Sequence, residues 1–111
     1  SEFINKAIQQ GALPPFEQLG RWWNKDTEID LIGLNKKENA ILFVEVKWNK
    51  KSLHLRILRD LQKKSQKVKW GSKNRKEHFA LIAKGGFTEK LIKQAKKEGV
   101  LLIQEDKIIK K

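Results

Sequence analysis

The chain has 111 residues, a length that fits one domain, residues 1–111, and buries a working core without staples. Apolar residues are 39% of it, so it is globular rather than disordered, and the lack of cysteine excludes a disulfide scaffold, a cysteine-ligated zinc site and a thiol nucleophile. Twenty-five Lys and Arg against 13 Asp and Glu leave a net charge of +12, which fits a phosphate backbone as partner; a lysine-rich solubilising surface is the alternative.

The opening Ser1-Glu2-Phe3 reads as a cloning remnant, which implies a domain cut from a longer protein. Residues 4–11 are expected to form a short helix ending at Gly11. Pro14 and Pro15 then suit the first turn of a second helix over Phe16–Leu19, stopped by Gly20. Arg21-Trp22-Trp23-Asn24 is a candidate first strand, since tryptophan favours strands. Thr27 to Leu34 alternates as a strand, 35–39 is a polar turn, and Ala40 to Trp48 is a second strand, so the two form a predicted hairpin. Ser52 offers an N-cap to a helix whose buried face would hold Leu53, Ile57, Leu58, Leu61 and Val68. After a break at 71–74, Phe79 to Ala83 is an apolar strand closed by Gly85-Gly86. A helix follows from Thr88 to Glu98, with Gly99 as its stop. Val100 to Gln104 is a further strand, and 107–110 an edge strand or a fraying tail. The order implies an α/β fold, one mixed β-sheet flanked by helices. No stretch approaches the roughly 20 apolar residues of a membrane span. No signal-peptide pattern opens the chain, and a cytoplasmic protein is expected.

The hairpin carries the sharpest inference. If Leu34 opposes Ile41, then Ile32 meets Phe43, Asp30 meets Glu45 and Glu28 meets Lys47; the other face pairs Leu31 with Val44 and Ile29 with Val46. A slip of one residue would set Asp30 against Val44, at a cost in burial. The preferred register puts two carboxylates side by side, with β-carbons about 5 Å apart. Such a pair repels unless a proton or cation lies between, and a hard divalent ion is the natural occupant. Lys47 points to the same side, where it could steady an attacking water or developing phosphate charge. The plain alternative is a solvated strand end with Lys47 neutralising the acids.

Asp30, fourteen residues, then Glu45-Val46-Lys47, on a hairpin after a helix, resembles the PD-(D/E)xK nuclease superfamily. That resemblance implies a restriction-endonuclease-like core, α-β-β-β-α-β. Gly20-Arg21-Trp22-Trp23, Glu28-Ile29-Asp30-Leu31-Ile32 and Phe43-Val44-Glu45-Val46-Lys47-Trp48 are similar to the nuclease-like C-terminal domain of archaeal-type ATPases. The superfamily's proline is replaced by Ile29. The resemblance implies Mg2+ (or Mn2+) held by Asp30, Glu45 and the Val46 carbonyl. Lys47 would assist the water, Glu17 would join from the preceding helix, and Lys64 would face the site in preference to Gln62 or Lys63. It further implies metal-dependent hydrolysis of DNA, with an ATPase domain in the parent chain. The basic run Lys63, Lys64, Lys67, Lys69, Lys73, Arg75 and Lys76 is expected to contact phosphates. Trp22, Trp23, Trp48 and Trp70 are candidates for core or interface packing, with base stacking as the alternative. His54 and His78 read as structural or surface residues. A catalytically silent DNA-binding or docking module and a homodimeric interaction domain are the rival readings.

Overall fold

A computed structural model describes residues 1–109. Three helices, α1 (Glu2–Gln9), α2 (Leu55–Ser65) and α3 (Glu89–Glu98), flank six strands: β1 (Gln18–Asn24), β2 (Thr27–Asn35), β3 (Ala40–Lys47), β4 (Lys76–Ala83), β5 (Leu101–Gln104) and β6 (Lys107–Ile108). The strands form one sheet in chain order. β1, β2 and β3 pair antiparallel, β3 to β5 parallel, and β6 returns antiparallel. The fold is the α/β architecture expected, a mixed sheet with flanking helices. Of the edge strand or tail expected at 107–110, Lys107–Ile108 is the strand β6, and Lys110 lies outside the described residues. Among those described, no helix is long and apolar enough to cross a membrane.

Both parallel connections are crossovers of the same hand, so α2 and α3 pack on one face. That face buries Ile32, Ile41, Phe43 and Leu81 against Leu58, Leu61 and Leu91. Each such fully buried side chain contributes about 1.5–3 kcal/mol. α1 covers the other face, where Ile4 and Ala7 meet Leu42, Val44 and Ile82. β3 is central and buried from Ala40 to Glu45, which is why its sequence runs apolar without alternation.

The structure corrects two boundaries. No helix forms at Phe16–Leu19. Glu17 donates its N–H to the Leu34 carbonyl, and Gln18 pairs with Leu34, so β2 draws this segment into the sheet. Consecutive prolines already push the chain toward extended backbone. Ser52 does not cap α2 either; His54 stands at that position. Leu53 is held instead in a parallel bridge to Phe87, with its N–H on the Gly86 carbonyl and its carbonyl accepting from Thr88. That ladder keeps 52–53 extended and delays the helix. Val68 lies beyond the helix end but is still buried. α3 is as expected: Thr88 Oγ1 accepts from the Leu91 N–H, and Gly99 ends the helix at φ +71°.

Candidate active site

The β2–β3 register is the expected one as far as it runs: Leu34 opposes Ile41, Ile32 opposes Phe43 and Leu31 opposes Val44, and there the ladder stops. The cause is a β-bulge. On the β1 side Gly20 pairs with Ile32 and Trp22 with Ile29, so Asp30 and Leu31 together oppose Arg21 alone. The extra residue shifts the alternation. Ile29 therefore joins Ile32 in the core beneath α2, rather than meeting Val46 on the other face. The Glu28–Lys47 pair expected from unbroken alternation is absent; Glu28 reaches Arg21 at 3.6 Å instead, and Thr27 takes its place on the α2 side.

Asp30 sits at this break. Its Oδ2 accepts the Val46 backbone N–H at 2.9 Å, standing in for the missing ladder partner. In an extended strand the N–H and C=O of one residue point the same way, so the Val46 carbonyl faces the same gap. The alternate direction agrees: the Lys47 carbonyl, one residue on, points to β4 and accepts from Lys84.

Glu45 is buried, with 9% of its side chain exposed. Lys64 Nζ on α2 lies 3.3 Å from its Oε1, and Lys47 Nζ lies 3.7 Å from its Oε2. Asp30's carboxylate is near enough to act on its pKa. Burial raises the Glu45 pKa above the usual carboxylate range, and the Asp30 charge raises it further, while the two lysines pull it back. Two hard carboxylates and a backbone carbonyl around one gap suit a hard divalent cation. Among the described residues no three His, Cys, Asp or Glu converge, so a metal here would rest on these donors and solvent.

Glu45 and Lys47 open into a cavity of about 310 Å³ roofed by α2, with Lys63, Lys64 and Lys67 along one wall. Lys67 Nζ bonds Thr27 Oγ1 at 3.1 Å. Asp60 also borders the cavity. Thr27 and Asp60 escaped the sequence reading, because the bulge hid the facing of Thr27 and Asp60 looks like any surface acid on a helix.

Other expected site residues lie elsewhere. Glu17 is on an extended segment, and its carboxylate accepts the Lys36 N–H at the turn end of the hairpin, opposite to Glu45. Arg75 is structural. Its guanidinium donates to the carbonyls of Ser65, Val68 and Trp70, pairs with Glu77 at 2.9 Å, and lies 5.5 Å from the Phe43 ring centroid. Lys76 begins β4 beside Asn39, far from the carboxylates, and Lys73 is exposed near that end. Lys69 borders a neighbouring cleft. His78 packs edge-on to Phe16 at 5.9 Å, with its pKa lowered by burial and then by Lys76; His54 is exposed at the α2 cap.

A solved structure shares this architecture. The chain is 40% identical over 86 residues to an uncharacterized protein of Methanocaldococcus jannaschii, a match that takes in 75% of this chain and 19% of the relative's length. A crystal structure of a repair endonuclease from Pyrococcus abyssi superposes with a TM-score of 0.51 at 15% identity, over 93% of this chain and 45% of that one. At such identity the likeness is one of fold. The model of the DUF234 family matches residues 1–79, from α1 to the middle of β4. The chain thus belongs to DUF234, described as archaea bacterial proteins of unknown function.

Proposed function

We propose that this domain is a metal-dependent nuclease acting on DNA phosphodiesters. The observation that carries the reading is the grouping of Asp30 and Glu45 with Lys47 and Lys64, beside a cavity that Lys63 and Lys67 also line. Asp30, Glu45 and the Val46 carbonyl would hold Mg2+ or Mn2+, which supplies Lewis acidity toward the phosphoryl oxygen and a lowered pKa for bound water. Lys47 orients the attacking water and offsets charge on the phosphorane-like transition state. Lys64 offsets the Glu45 charge when no cation is present. Lys63 and Lys67 bind the flanking phosphates. The repair endonuclease of the same fold lends the reading support. An ATPase domain in the parent chain stays within the proposal on the strength of the sequence resemblance, and self-association on the exposed Trp23 and Trp48.

One observation favours a second reading, a silent DNA-binding or docking module. Each oxygen of Glu45 already faces a lysine, so the site is neutralised without a metal. Incubation with single-stranded, duplex and branched DNA in Mg2+ or Mn2+ decides. Cleavage by the native protein that disappears in Asp30→Ala and Lys47→Ala supports the nuclease. Salt-sensitive binding without cleavage supports the module, and no binding at low salt rejects both.

A further inference from the structure

A second depression lies on the same face of the sheet as the carboxylate cavity. It is a cleft of about 400 Å³ between the edge strand β1 and the segment that follows α2. Trp22 from β1 and Trp70 from the segment after α2 both line it, together with Ile32 and Leu34. Both indoles are half-buried against the core, so their rings are held rather than free to swing. The volume falls within the roughly 300–1,000 Å³ range of pockets that take small organic ligands.

Charge selects the occupant. Arg21 and Lys69 border the cleft, and among the described residues no acidic side chain does. The carboxylate cavity is its neighbour. Lys63, Lys64 and Lys67 line that cavity and Val68, Lys69 and Trp70 the cleft, so one short stretch of chain walls both. Lys67, bonded to Thr27 at the cavity, directly precedes Val68 of the cleft. Along the strands, Asn24 pairs with Thr27 and Trp22 with Ile29, two residues apart, which is about 7 Å. That is the reach of one nucleotide. β1 is an edge strand, so the cleft is open on its outer side to a continuing chain.

We infer that the Trp22–Trp70 cleft receives an unpaired base of a DNA strand whose neighbouring phosphate lies in the Lys63–Lys64–Lys67 cavity. The inference rests on the nuclease-site reading for the phosphate, and it specifies the substrate as DNA with at least one unstacked nucleotide. A paired base cannot enter a cleft between two rings without leaving its stack. Stacking on indoles is tolerant of base identity, so little sequence preference is expected.

The test measures binding in EDTA, so that no metal-dependent cleavage interferes. Labelled single-stranded oligothymidine and a blunt duplex of equal length are titrated into the native protein and into Trp22→Leu, Trp70→Leu and the corresponding Phe variants. Losing one stacking partner weakens single-strand binding about 5- to 150-fold. Phenylalanine restores most of it, and duplex affinity is unchanged. In a Trp23→Phe, Trp48→Phe protein, only Trp22 and Trp70 emit, and the single strand quenches them. Unquenched emission overturns the inference even if the Leu variants fail to fold. So does native-like single-strand binding by folded Leu variants, or an equal loss on duplex. Cleavage of DNA with none of these effects removes the cleft and keeps the nuclease; cleft binding without cleavage does the reverse.

Discussion

Asp30→Asn separates a site built for charge from one built for stability. The amide oxygen still accepts the Val46 N–H, a 2.9 Å bond in the native protein. The amide NH2 now faces Glu45, so a repelling carboxylate becomes a donor. A hydrogen bond to a charged group contributes about 1.5–3 kcal/mol. Lys47 and Lys64 already satisfy part of Glu45, so the net gain is set at about 1 kcal/mol. For 111 residues the unfolding entropy of about 2.1 cal/mol/K per residue converts this to a rise of about 4 °C in Tm. The sign of the pH dependence follows from Glu45, whose folded pKa is raised. The folded state then holds its proton more tightly than the unfolded chain does. Glu45 therefore stabilises the fold at low pH, and this contribution is lost as pH rises from the ordinary carboxylate range through the folded value. Asp30→Asn shrinks that slope but leaves the larger share due to burial. Thermal unfolding from pH 4 to 8, with and without Mg2+, measures all three effects. The native protein should gain stability from Mg2+ by mass action and the variant should not. A variant that is less stable than native by 1 kcal/mol, or that keeps the Mg2+ effect, refutes the reasoning.

Arg75→Met should cost about 3 kcal/mol, roughly 10 °C or more in Tm, because three carbonyls lose a charged donor; DNA affinity well below Tm should not change, and a variant of native stability refutes the assignment. Glu17→Gln should leave any cleavage rate untouched in a single-turnover assay, since its carboxylate only caps the Lys36 N–H. Glu98 is held at a pKa of about 2, first by Arg59 and then by Gln94 and Gln62. It thus stabilises the fold above its unfolded pKa and loses this as pH falls from 4.5 toward 2, so urea midpoints of Glu98→Gln should flatten in that window.

Much of the hairpin was legible because both strands are buried on one side at their turn end. Leu34 and Ile32 share a face with Ile41 and Phe43, and a one-residue slip would part them. The same pattern could not show where the pairing ends. A bulge inserts no signature residue, and Ile29 is as apolar as an inward residue of either face requires. Glu17 was misplaced because diprolines suit a helix start as well as an extended entry, and only the Leu34 carbonyl decides between them. The basic run 63–76 looked uniform because sequence carries no position along the sheet. In space its first three lysines line the cavity, while Arg75 turns inward to the loose carbonyls after α2. An arginine just before β4, followed two residues later by Glu77, was the available hint.

The bulge at Asp30 and Leu31 makes β2 two half-strands in opposite phase. From Ile32 onward one frame of side chains faces α2; before Asp30 the other frame does. Removing a single residue at Leu31 would restore a common frame, as a compensating deletion restores reading after an insertion. Asp30 would then oppose Arg21 alone, and Ile29 and Thr27 would keep their places beneath α2 in plain alternation with Ile32. The hairpin would still have its turn and its apolar pairs. It would lose the one place where the backbone of β3 is left open.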